Sequence, residues 1–305
     1  MVAWYRFGRM SHLPSLVARI AFSTVCAAVL VVGNEVDAQS EEATVTAAPA
    51  VVTEDVWGGA KIVGGREAPG YVAFTFDDGP DLTSTPIILK TLEAHKVPAT
   101  FFVVGRHFAK KSDTAKAGAE LLVDMEKRGF TIGNHTTNHQ NLPKLSPKAA
   151  QAAVATNASD LEAVLGHPVR LFRPPFGATT GAIRRMLRKR GDTMVRWNID
   201  SQDFQRDQRK GMADRVLAEI LSKGGGVVLF HDTKKATARM LPSLLASLEL
   251  ANCQRIEDGQ PAILPVSLHY FLRDPDGTPR RIPAKVLKET QDMVDRLTEQ
   301  CKDRD

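Results

Sequence analysis

From about residue 70 onward, short apolar runs alternate with longer stretches whose apolar positions recur every three or four residues. The runs at 72–76, 100–104, 131–133, 169–172, 194–199, 227–230 and 263–272 are rich in Val, Ile, Phe and Thr and read as strands. The stretches at 85–95, 115–128, 147–165, 180–190, 213–222 and 237–250 read as helices, and 283–301 as a final amphipathic helix. Such alternation predicts a parallel sheet with helical crossovers, closed as a barrel or open and doubly wound. No internal repeat is present. In both architectures ligand sites gather at the C-terminal ends of the strands.

The chemically capable side chains fall at that end. Asp77 and Asp78 close the first run, His135 follows 131–133, Arg173 follows 169–172, Asp200 and Asp203 follow 194–199, and His231 follows 227–230. Two adjacent carboxylates at the end of a buried strand repel one another and resist burial, so they call for a metal, a cation or a hydrogen-bond network. Asp78, Gly79 and Pro80 taken alone would make an ordinary turn. Five placements at one end favour a shared site.

Residues 1–70 break the pattern. Arg6, Arg9 and Arg19 precede an apolar stretch at 20–33, and Val36, Asp37 and Ala38 offer a cleavage point, so 1–38 reads as a signal peptide. An uncleaved membrane anchor is the alternative, although the stretch is shorter than the roughly 20 residues a span needs. Residues 39–60 lack a period and read as a flexible linker, leaving 61–305 as a single domain. These features predict a protein that is secreted, periplasmic or held at the cell envelope, touching membrane only through an uncleaved signal.

Of the 305 residues 25% are charged, with a formal net charge of +5 that loss of 1–38 would lower by one. The excess is spread without Lys/Arg blocks or interleaved aromatics, which argues against nucleic acid and suits loose association with anionic envelope polymers. No stable protein partner is predicted. Cys26 lies in the signal segment, leaving Cys253 and Cys301 either as a disulfide tying the last helix to the body or as two thiols.

His135 and His139 are four residues apart, and with Asp78 they make a two-histidine, one-carboxylate set that suits Zn²⁺ or a related divalent ion with positions left open. His12, His95, His107, His167 and His269 read as structural or exposed. Trp197 reads as core.

With these residues assembled, the chain resembles the polysaccharide deacetylases of carbohydrate esterase family 4, the NodB homology domain, over 71 to about 232. Five motifs occur in the family's order. They are Thr75, Phe76, Asp77, Asp78, Gly79, Pro80; then His135 to His139; then Arg173, Pro174, Pro175, Phe176, Gly177; then Asp200, Ser201, Gln202, Asp203, Phe204; then Leu229, Phe230, His231. The resemblance implies a distorted (β/α)7 barrel and metal-dependent removal of acetyl groups from an N-acetylated glycan of peptidoglycan or chitin type. It implies that Asp78, His135 and His139 hold one divalent metal, Zn²⁺ with Co²⁺ or another ion as alternatives. It further implies that Asp77 is the general base, His231 the general acid, and that the backbone N–H of Phe176 stabilises the oxyanion. Arg173 would tune Asp77, Asp203 would orient His231, and Phe204, Leu229 and Pro175 would line the acetyl pocket.

The chain departs from the family pattern in three places. Phe204 stands where Trp is usual and Phe176 where Tyr is common, changes that alter pocket shape and remove donors without touching the ligand set, and Gln140 stands where Pro is frequent. Asp200 is expected to make a structural hydrogen bond. An O-acetyl esterase acting on acetylated xylan and a non-catalytic glycan-binding module are the alternative readings.

Overall fold

The structure is a computed structural model and describes residues 57–302. The signal peptide 1–38 and most of the linker 39–60 lie outside the described residues. Residues 57–60, the end of the linker reading, lie on the body: the Trp57 ring packs on His269, the Gly59 N–H donates to the Gly191 carbonyl, and the Ala60 N–H donates to Thr193 Oγ1.

Among the described residues eight strands form one parallel sheet. They are β1 (Tyr71–Asp77), β2 (Ala99–Val103), β3 (Thr131–Asn134), β4 (Leu171–Phe172), β5 (Thr193–Met194), β6 (Ile199–Asp200), β7 (Gly226–His231) and β8 (Leu264–Pro265). The order is β5-β4-β3-β2-β1-β7-β6, with β8 pairing the start of β1. Helices α1 (Ser84–Ala94), α2 (Asp113–Lys127), α3 (Pro147–Leu165), α4 (Gly181–Arg190), α5 (Met212–Lys223), α6 (Lys235–Glu257) and α7 (Ala284–Lys302) surround it. This is the (β/α)7 barrel in distorted form, with β5 and β6 at the two ends of the strand order. Among the described residues no helix is long and apolar enough to cross a membrane.

Alternation along the strands sorts side chains between two apolar layers. Val72, Phe74 and Phe76 of β1, Phe101 and Val103 of β2, and Val228 and Phe230 of β7 pack outward against α1, α2, α5 and α6 through residues such as Leu89, Leu92, Leu122, Ile220 and Leu244. Ala73, Phe102, Leu171 and Val227 belong to the inner cluster, which Val266, Leu268 and Phe271 extend. The same parity carries Thr75 and Asp77 of β1, and Leu229 and His231 of β7, to the inside. At Gly133 a Cβ would strike the Phe102 ring, so the inner layer fits there only with glycine.

Two strand expectations are corrected. The run 194–199 is not one strand but β5 and β6 at opposite ends of the sheet, because the backbone between them turns to other partners. Val195 bridges to Val63, and the carbonyls of Val195 and Arg196 accept from the Arg173 guanidinium. The run 263–272 is a strand only at Leu264–Pro265. Its remainder coils into a 3₁₀ turn at Leu268–Phe271 whose apolar side chains fill the inner cluster.

Helix limits follow local chemistry. Ser112, Ser146 and Thr180 cap α2, α3 and α4 by accepting from Ala115, Ala149 and Ile183 N–H, and Gly166 ends α3 in the left-handed conformation. Cys253 of α6 and Cys301 of α7 form a disulfide.

Candidate active site

The chain turns sharply after β1, and Asp78 takes a positive φ of 79°, a conformation Asp tolerates better than most residues. That turn sends the adjacent carboxylates to different partners. Asp77, 3% exposed, meets Arg173, whose guanidinium donates to Asp77 Oδ1 at 2.8 Å and to Thr75 Oγ1 at 2.8 Å. Arg173 is fully buried, and its guanidinium lies 4.2 Å from the Phe102 ring centre and 5.5 Å from that of Trp197. Burial pulls its pKa down, opposed by the Asp77 charge and hydrogen bond.

Asp78 faces the histidines. Its Oδ1 stands 3.3 Å from His139 Nε2 and 3.7 Å from His135 Nε2, and the three ligand atoms lie within 4.8 Å of one another. His135 Nδ1 lies 2.7 Å from the Arg173 carbonyl, so Nδ1 carries the proton and Nε2 keeps its lone pair toward Asp78. Burial lowers the pKa of both histidines against the pull of the Asp carboxylates, which favours neutral, metal-ligating imidazoles. Burial raises the Asp78 pKa, but His135, His139, His231 and Lys234 together hold it below the usual value. Asp78 Oδ1 is buried with no hydrogen-bond donor among the described residues. A buried orphan carboxylate oxygen facing two imidazole nitrogens fits one divalent cation.

His231 ends β7 beside Asp77. Its Nδ1 is 2.6 Å from Asp203 Oδ1, and its backbone N–H donates to Asp203 Oδ2 at 2.7 Å. Thr237 Oγ1 of α6 also donates to Oδ2, at 2.5 Å. Burial alone would lower the His231 pKa, yet the Asp203 hydrogen bond and charge, helped by Asp77 and Asp78, raise it to about 9.

Phe176 and Phe204 stand at the rim, 65% and 49% exposed. Phe176, with φ of 60°, sets its ring edge-on to His139 at 4.6 Å, and Phe204 sits edge-on to His231 at 5.7 Å. Leu229 and Pro175 are buried. Asp200 Oδ1 accepts from the Gln202 N–H at 2.9 Å and holds the turn before Asp203. Trp197 packs on the inner cluster, against Gly177 and Arg173.

Asp77, Asp78, His135, His139, Arg173, Phe176, Asp203, Phe204 and His231 therefore gather at one end of the barrel. Sequence reasoning passed over Thr75, Thr85, Thr237 and Asp232, and set aside His107. His107 is half-buried on the loop after β2, where Arg106 hydrogen-bonds it and the Asp78 charge reaches it. Thr75 lay inside a quoted motif, and Asp232 directly follows His231. Thr237 belongs to a helix with no sign of its role.

Known proteins resemble this chain in sequence and fold. The polysaccharide deacetylase family profile matches residues 64–195. A chitooligosaccharide deacetylase of Bradyrhizobium sp. (strain ANU 289) is 33% identical over 162 residues, 53% of this chain and 70% of that protein. The peptidoglycan-N-acetylmuramic acid deacetylase PdaC of Bacillus subtilis (strain 168) is 30% identical over 177 residues, 58% of this chain, and the match spans only 35% of that longer protein. The solved structure of peptidoglycan deacetylase PdaC from Bacillus subtilis superposes with a TM-score of 0.52 at 26% identity, covering 65% of this chain and 88% of that one. Fold, motif order and extent of match lead to one assignment: the chain belongs to the polysaccharide deacetylase family.

Proposed function

We propose that the protein is a hydrolase that removes N-acetyl groups from an N-acetylglucosamine-containing glycan of peptidoglycan or chitin type. The observation that carries this reading is the placement of Asp77, paired with buried Arg173, and His231, paired with Asp203, on the adjacent strands β1 and β7, beside Asp78, His135 and His139. Asp78, His135 and His139 would hold one divalent ion, Zn²⁺ being the best match to two imidazoles and a carboxylate. A divalent ion bound there would polarise the acetyl carbonyl and increase the acidity of water.

The protein's own groups supply the proton traffic. Arg173 fixes Asp77 through Oδ1, which leaves Oδ2 to take a proton from the attacking water. His231 is held by Asp203 through Nδ1, and with its pKa raised to about 9 it is protonated at neutral pH. Its Nε2–H is then available to the departing amine nitrogen, which would otherwise leave as a poor anion. The backbone N–H of Phe176, on the rim beside His139, is the proposed donor to the oxyanion, and Phe204, Leu229 and Pro175 the walls of the acetyl pocket.

The N-terminal sequence and the Cys253–Cys301 disulfide support export to an oxidising compartment. Acetate release from chitooligosaccharide, peptidoglycan and acetylated xylan, with and without chelator, tests the reading. It predicts chelator-sensitive release from the N-acetylated substrates ahead of the xylan. No release from any N-acetylated glycan by metal-loaded protein contradicts it.

A further inference from the structure

Asp232 is completely buried, directly after His231, and the proposed chemistry does not use it. Burying a carboxylate is costly where an apolar residue would pack, so its surroundings are informative. Its Oδ2 accepts from Thr85 Oγ1 at 2.6 Å, and Thr85 Oγ1 in turn accepts from the Asp81 N–H at 2.9 Å. The Asp232 N–H donates to the Asp77 carbonyl at 3.2 Å. Gly79 lies against the carboxylate so closely that a Cβ there would overlap Asp232. Thr85 is itself buried at the start of α1, and its N–H donates to the Asp81 carbonyl at 3.1 Å.

These contacts form a clamp on the segment from Asp77 to Asp81. On its β2 side the segment is tied by the Asp78 N–H to the Phe102 carbonyl, at 3.2 Å, and by the Gly79 carbonyl to the Val104 N–H, at 2.9 Å. On its β7 side the ties are those made by Asp232 and Thr85. The left-handed Asp78 backbone sits between the two sets of ties.

We propose that Asp232 is a positioning residue: with Thr85 it fixes the Asp77–Asp81 turn against β7, and so sets where the Asp78 carboxylate stands relative to His135, His139 and His231. The inference rests on the functional reading above, because it gives Asp78 a ligand's role. The Oδ1 of Asp232 has no donor among the described residues, so an amide of the same shape keeps every contact the clamp makes.

The test compares wild type, Asp232→Ala, Asp232→Asn and Thr85→Val, each titrated metal-free with Co²⁺ by calorimetry and by visible spectrum, then assayed for acetate release. Asp232→Ala is expected to weaken Co²⁺ binding by about tenfold or more, as loss of groups that orient ligands does, to change the Co²⁺ spectrum, and to lower kcat more than it raises KM. Thr85→Val should move the same readouts the same way by a smaller factor, and Asp232→Asn should recover most of the affinity. Wild-type affinity, spectrum and kcat in Asp232→Ala would overturn the proposal, even with a lowered Tm. Should Asp232→Ala fail to fold, wild-type values in Thr85→Val overturn it equally, as would Asp232→Asn losing as much as Asp232→Ala. Wild-type protein that binds no Co²⁺ would refute the functional reading itself, and is thereby distinguished.

Discussion

Asp77 and His231 are register partners on the adjacent parallel strands β1 and β7, at the last position of each. Parallel pairing with side-chain alternation sends both to the inside of the barrel, so the proposed proton acceptor and donor stand side by side without help from a loop. Each carries its own oppositely charged partner, Arg173 for Asp77 and Asp203 for His231. The proposed division into base and acid would follow from the sheet register.

The alkaline limb of activity should belong to His231. With its pKa raised to about 9 by Asp203, Asp77 and Asp78, activity that needs the imidazolium should persist through neutral pH and fall as pH rises through about 9. Asp203→Asn should bring that limb down toward the ordinary histidine range near pH 6.5. A pH–rate profile of both proteins checks this.

The same pair affects stability. A histidine whose folded pKa lies above its unfolded value contributes stability fully below about pH 6.5 and loses it as pH rises through about 9. Urea unfolding at pH 6 and pH 9.5 should show a decline in wild type that is smaller in His231→Gln.

Removing the Arg173 side chain leaves Asp77 buried beside Thr75 without its ion partner. Arg173→Met should destabilise by about 3–5 kcal/mol, the usual cost of breaking a buried pair from one side. Asp77→Asn in that background should restore part of the loss. Denaturant midpoints of the two variants decide it.

The Cys253–Cys301 disulfide closes a loop across a sequence separation of 48 residues and fastens α7 beside Leu297. Reduction should cost about 2–4 kcal/mol, read as a lower Tm, while acetate release below that temperature stays near wild type because both cysteines pack by Leu264 beside the start of β1, opposite the site.

Much of this site was legible before any coordinates. Asp77, His135, Arg173, Asp203 and His231 each follow an apolar run, and in a parallel α/β sheet that position alone brings distant residues to one end. The limits of α3 were legible because Ser146, Pro147 and Gly166 punctuate it. What the pattern could not give were features decided by long-range partners. The run 194–199 looks like one strand, but Arg173 draws off the carbonyls of Val195 and Arg196, and the run breaks into two. The run 263–272 is apolar because it fills the barrel, which periodicity cannot tell from strand. Thr237 and Thr85 act through single hydroxyl groups on helices, where Thr carries no signal.

The central claim is that neighbouring carboxylates have separate jobs, Asp78 as ligand and Asp77 as base. Titrating Zn²⁺ into metal-free Asp77→Asn and Asp78→Asn, with acetate release measured on the same samples, tests it most directly. The account predicts near wild-type Zn²⁺ affinity for Asp77→Asn, with turnover reduced by about 10²–10⁴, the worth of a general base. It predicts strongly weakened Zn²⁺ binding for Asp78→Asn. Equal loss of Zn²⁺ in both variants, or full turnover in Asp77→Asn, would contradict it.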